Sequence, residues 1–202
     1  MNKICVLWIA LIFPTMSQAV VKPDMPADPY VLVQHVASNT FKRIKNQHAE
    51  IELDKSILKD IVEQELFPYV DYKFAALKVL GKNFKNIPKE KALEFMQVFR
   101  SYLIGSYAAA LEYYNDQTFQ VEPSKPIDVR HNVRVRVLVQ QASQPDIDLA
   151  FIMRLNKQTN EWMAYDIVAE GISMLASKQS EFDSLLRKGD IQTVIDLIKQ
   201  KS

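Results

Sequence analysis

Val133-Arg-Val-Arg-Val-Leu-Val-Gln140, Leu149-Ala-Phe-Ile-Met-Arg-Leu155 and Trp162-Met-Ala-Tyr-Asp-Ile-Val-Ala169 are the three stretches that decide the fold. In the first, Val133, Val135, Val137 and Val139 alternate with Arg134, Arg136, Leu138 and Gln140, the two-residue period of a strand with one buried face. Leu149, Phe151, Met153 and Leu155 repeat it one strand later, and the third stretch is expected to place Met163, Tyr165 and Ile167 on one face. Asn156 to Asn160 reads as a hairpin turn, and Phe119 to Glu122 as a short fourth strand. Loops this short between neighbouring runs call for antiparallel pairing.

Toward the N-terminus the period changes to that of helices. Asp28-Pro29 supplies a cap acceptor followed by proline at the first helical position, and Val33, Val36, Ala37, Phe41 and Ile44 follow at helical spacing. Further helices are expected from Asp54 to about Leu66, where Pro68 breaks the run, and from Asp71 to Phe84, with Gly81 able to end it early. A longer helix after Pro88, up to about Asn115, carries Phe95, Met96, Phe99, Leu103, Tyr107 and Ala110 along one side; its small residues around Gly105 suit a close approach or a bend. Beyond the strands, Ser173 and Asp190 can each cap a closing helix. Helices, then consecutive strands, then two helices imply an α+β fold with an antiparallel sheet of about four strands.

The first residues read differently. Lys3, the apolar run Ile4 to Phe13 and the small residues Ser17 and Ala19 form a signal peptide over residues 1–19, followed by a flexible leader at 20–27 and one domain at 28–202. About ten apolar residues cannot span a hydrocarbon core that needs roughly twenty. Cys5 falls within the signal peptide, so the processed chain has no cysteine to pair and relies on its core, which a 48% hydrophobic composition supports. Loss of Lys3 turns 25 basic and 24 acidic residues into 24 of each, without a long basic run, so nucleic acid is discounted as a partner.

Catalytic signatures are missing as well. Gly81, Gly105, Gly171 and Gly189 are too scattered for a phosphate-binding loop, and no Gly-x-Ser-x-Gly elbow is present. His35, His48 and His131 lack metal-ligand spacing and are expected at the surface. Glu63 with Glu65, and Asp146 with Asp148, read as solvated pairs. The expectation is a protein that is not an enzyme and needs no metal or cofactor.

Two blocks resemble a known family. Glu65-Leu-Phe-Pro-Tyr-Val70, running on to Val79-Leu-Gly81, is similar to the Glu-Leu-Leu-Pro-Tyr-Val segment and Val-Leu-Gly ending of the MlaC family of periplasmic phospholipid-binding proteins, also called toluene-tolerance proteins. Trp162-Met-Ala-Tyr-Asp-Ile-Val-Ala-Glu-Gly-Ile-Ser173, continuing through Phe182 and Leu185-Leu-Arg187, resembles that family's Trp-x-x-Tyr-Asp-x-x-x-Glu-Gly-Val-Ser block. Phe99-Arg-Ser-Tyr102 and Tyr107-Ala-Ala-Ala-Leu111 fit between them.

The resemblance implies a twisted antiparallel sheet covered by helices in an NTF2-like arrangement, with a deep apolar pocket for the acyl chains of a phospholipid, which is cargo and not a cofactor. It implies a periplasmic monomer that shuttles glycerophospholipid to maintain outer-membrane lipid asymmetry. Its partners would be an outer-membrane lipoprotein-porin complex and an inner-membrane ABC transporter, reached through a ring-forming substrate-binding subunit. Candidate lipid-binding residues are Val70, Phe74, Leu77, Phe99, Leu103, Val137, Leu149, Phe151, Met153, Tyr165 and Ile167, which combine apolar faces with the matched blocks. Ile172 joins them because it stands where the family has a valine associated with acyl-chain contact. Two other classes stay open: an exported interaction module with a filled core, and an NTF2-like small-molecule protein, binding or catalytic, with polar groups converging in its cavity.

Overall fold

The computed structural model describes residues 27–114, 116–141 and 145–201. The expected signal peptide and all of the leader but Ala27 lie outside them.

Local chemistry sets the helix boundaries. Helix α1, Pro29–Asn46, starts where the Asp28 carboxylate accepts from the backbone N–H of Tyr30 at 2.7 Å, with Pro29 at the first helical position. A short α2, His48–Leu53, which the sequence pattern did not signal, follows and buries only Ile51. The helix expected from Asp54 begins later, because the Asp54 side chain accepts from Ser56 N at 2.9 Å and holds a turn; α3 spans Ile57–Ile61. It loosens into a π-helix at Val62–Leu66 and a 3-10 turn at Phe67–Tyr69, with Pro68 unable to donate to a continuing helix.

Asp71 caps α4, Tyr72–Leu80, which ends at Gly81, four residues short of Phe84, the early end that Gly81 allowed. Gly81 stops it at φ +53°, a backbone conformation that calls for glycine; a Cβ there would meet Gln179 Nε2 at 2.6 Å, the end of a flexible side chain that can turn aside. A 3-10 stretch, Gly81–Asn86, leads to α5, Lys89–Leu111, which is continuous through Gly105 and stops short of Asn115.

Strands β1 (Thr118–Val121), β2 (Val133–Gln140), β3 (Ile147–Asn156), β4 (Glu161–Ala169) and β5 (Ile172–Ser173) form one antiparallel meander in chain order. The fifth, only two residues long, is the addition to the four expected. Because β5 is so short, part of the outer edge of β4 is covered instead by Val70 and Asp71: Val70 bridges Ala164, and Asp71 N donates to Ala164 O at 2.8 Å. Two helices close the chain: α6, Met174–Arg187, capped by Ser173, and α7, Ile191–Gln200, capped by Asp190.

The expected face of β4 needs correction. Pairing runs Phe151 with Ile167 and Ile152 with Asp166, then Met153 with Ala164, so Tyr165 is the extra residue of a β-bulge. Opposed residues share a face, which puts Trp162, Ala164 and Ile167 with Phe151 and Met153, and Met163 on the opposite side. A strict two-residue period hides such an insertion.

Three apolar clusters hold the domain. Helices α4 to α7 enclose Phe95, Phe99, Phe182, Val194 and Ile195; α5 also packs Ile104 and Ala108 against α2, α3 and the π-helix; and α1 lays Leu32 and Val33 over Val135, Val137, Met153 and Trp162 of the sheet. All three histidines are exposed. Among the described residues, no helix is long and apolar enough to cross a membrane.

Candidate functional site

Where the three clusters meet, packing leaves a cavity of about 220 Å³. One wall is α1, with Val36, Ala37, Thr40 and Phe41 below the cluster residues Leu32 and Val33. The second is the C-terminal part of α5, with Tyr107, Ala110 and Leu111. The third is the irregular segment that contributes Leu66, Tyr69 and Val70. The floor is the sheet, with Leu149, Phe151 and Met153 from β3 and four consecutive residues, Ala164 to Ile167, from β4. Four successive residues of a regular strand could not border one space; the bulge at Tyr165 permits it.

Half of the sequence-derived residues line this cavity: Val70, Leu149, Phe151, Met153, Tyr165 and Ile167. The others do not. Phe99 belongs to the closed helical cluster, stacked on Phe95 at 5.6 Å and Tyr102 at 6.1 Å. Leu103 is packed between the two helical clusters, and Leu77 is half-buried on α4. Val137 is sealed beneath α1. Phe74 lies behind the wall, edge-on to Tyr165 at 5.0 Å, with the Arg154 guanidinium 4.2 Å from its ring centre.

Ile172 is 59% exposed on β5. Ile172→Glu is therefore expected to leave the thermal midpoint within about 2 °C of wild type, since exposed substitutions rarely exceed about 0.5 kcal/mol. A fall of about 10 °C in differential scanning fluorimetry would instead place the side chain in packed interior.

Sequence reasoning missed α1 and the end of α5 as walls. Their apolar stripes were legible, but a stripe does not say which surface it meets. The small residues Gly105-Ser106 and Ala108 to Ala110 on either side of Tyr107 were the available signal, because they let other elements approach α5 closely.

The walls are fixed from outside. Arg43 on α1 donates to Gln64 Oε1 at 2.8 Å and Glu65 Oε1 at 3.0 Å, tying α1 to the π-helix. Arg100 on α5 donates to Glu63 and lies over the Phe67 ring at 4.9 Å. Arg154 on β3 is ion-paired with Asp71, which also accepts from Phe74 N at 3.1 Å to cap α4.

Few polar groups border the space. The Thr40 hydroxyl donates to Val36 O at 2.8 Å, and the Tyr165 hydroxyl accepts from Asn132 Nδ2 at 2.9 Å. Asp166 accepts from the Ser173 hydroxyl at 2.6 Å and from Leu175 N at 3.0 Å, joining β4 to the start of α6. Burial pushes the ionisation of Tyr107 far above the ordinary tyrosine range, and the Asp166 charge adds to this. Tyr165 is raised by burial and Asp166, against Arg154. Side chains of this kind, in a space walled by hydrocarbon, suit an apolar ligand with a small polar portion.

An α+β domain with a helix-covered antiparallel sheet and an apolar cavity between sheet and helices is the class these features define. The family model described as "MlaC protein" matches residues 34–200. The chain belongs to the MlaC family. It is 33% identical over 175 residues to the intermembrane phospholipid transport system binding protein MlaC of Haemophilus influenzae, covering 86% of this chain and 82% of that protein. The solved structure of a phospholipid-binding protein from Ralstonia solanacearum, in complex with a phospholipid, shares the fold with a TM-score of 0.75 at 20% identity, over 86% of this chain and 96% of that one.

Proposed function

We propose that this protein is a periplasmic carrier that takes glycerophospholipid by its acyl chains and moves it between the inner and outer membranes, without catalysing a reaction. The observation that carries the reading is the apolar cavity between α1, α5 and the sheet, in a chain of the MlaC family. The Haemophilus influenzae relative, a binding protein of intermembrane phospholipid transport, and the phospholipid held by the Ralstonia solanacearum protein support the same reading. Lining residues common to the cavity and the sequence-derived set, above all Phe151, Met153 and Ile167, are the proposed acyl-chain contacts.

Burying roughly thirty methylenes at about 0.8 kcal/mol each is worth about 24 kcal/mol against water, beyond the range of ordinary affinities, so loss into water is negligible. Transfer from bilayer to cavity exchanges one hydrocarbon environment for another, so docking can tip it in either direction without an energy source in the carrier.

The finer assignments go with this reading. The chain acts as a monomer after removal of residues 1–19, with a lipoprotein-porin complex at the outer membrane and the ring-forming subunit of an ABC transporter at the inner membrane as its partners. Native mass spectrometry of protein purified gently and without detergent is expected to show one diacyl phospholipid per chain. Recovery of lipid-free protein alone would overturn the proposal.

A further inference from the structure

The Tyr107 hydroxyl is a feature of the cavity that an acyl-chain site does not require. Tyr107 lines the cavity from α5, next to Ala110 and Leu111. Thr40 and Asp166 have their hydrogen bonds and the Tyr165 hydroxyl accepts one from Asn132, but among the described residues the Tyr107 hydroxyl takes no hydrogen-bond partner at all. Nor is it sealed away, since no described side-chain oxygen or nitrogen is both buried and unpartnered. It is a donor open to an apolar space, and a donor in such a place is costly unless an acceptor meets it.

The neighbourhood selects the kind of acceptor. Asp166 borders the same cavity and acts on Tyr107 through its charge. A phosphate or a fatty-acid carboxylate bonded to Tyr107 would be repelled by that carboxylate, whereas a neutral carbonyl would not. In a lipid whose chains fill the cavity, the neutral acceptors within reach of the chains are the ester carbonyls that join them to glycerol.

We infer that Tyr107 donates a hydrogen bond to an acyl ester carbonyl of the bound lipid, so that the protein prefers ester-linked diacyl lipids over ether-linked lipids of the same chains and head group. The inference rests on the carrier reading above. It makes Tyr107 a determinant of linkage, where most of the wall responds only to hydrocarbon.

The test is a competition. The full chain is incubated with vesicles containing equal amounts of diacyl- and dialkyl-phosphatidylethanolamine of matched chain length, re-isolated, and its bound lipid counted by mass spectrometry. Wild type is expected to hold about fivefold more diacyl lipid, the ratio that a hydrogen bond of about 1 kcal/mol gives. Tyr107→Phe, which removes one oxygen and keeps the ring, is expected to bring the ratio to about one. Loading without preference in wild type, or a preference that survives in Tyr107→Phe, overturns the inference and leaves the carrier reading standing. Uptake of neither lipid by wild type overturns both.

Discussion

Phe151→Glu is expected to yield a folded protein that carries at least about 100-fold less lipid than wild type. Phe151 lies on the cavity floor, paired with Val135 on one side and Ile167 on the other. A carboxylate among acyl chains costs several kcal/mol if it stays dry, and about 2.8 kcal/mol already corresponds to 100-fold. Without lipid the cavity admits water, which hydrates the new charge and removes most of the penalty on folding. Far-ultraviolet circular dichroism, thermal unfolding and lipid content on one preparation decide the matter. A folded variant with full lipid content would take Phe151 out of the site.

The same substitution at Phe99 is expected to do the opposite. Phe99 is 3% exposed and stacks between Phe95 and Tyr102 in the cluster closed by α4, α6 and α7. A glutamate there finds neither water nor a cation, and a penalty of several kcal/mol is comparable to the whole stability of an ordinary domain, about 5–15 kcal/mol. Phe99→Glu should be recovered as insoluble or unfolded protein, and a cooperative thermal transition within about 5 °C of wild type would contradict the closed core. Tested together, the two variants separate wall from core with identical chemistry.

That contrast marks where sequence reading reached its limit. Asp28, Asp71, Ser173 and Asp190 announce helix starts because capping is a matter of two or three neighbouring residues, and each accepts the expected backbone N–H. Alternating valines announce β2 for the same reason. Phe99 and Tyr107, however, belong to one apolar stripe of α5 and differ in what faces the helix at each height: α4 and α7 at one, a cavity shared with α1 and the sheet at the other. That is settled by contacts between residues far apart in sequence, and a periodic pattern carries no trace of them. The bulge at Tyr165 was hidden because one inserted residue shifts the pleat without altering composition. Ile172 entered the candidate set through a resemblance between sequences, and its exposure depends on a two-residue strand that no local pattern signals.

The shortness of β5 bears on which wall can yield when cargo enters. Pulling Val70 and Asp71 away from Ala164 would strip backbone hydrogen bonds from β4 and leave a bare strand able to recruit another copy's edge, a route to self-association in a crowded compartment. Helix α1 meets the sheet through apolar side chains such as Leu32 and Val33 instead. Sliding it outward exposes hydrocarbon that the incoming chains themselves cover, and no strand loses its partner. The two sides of the cavity thus differ in what holds them: backbone pairing to the sheet on one, and on the other apolar packing with the Arg43 tie to Gln64 and Glu65, which must let go before α1 can move.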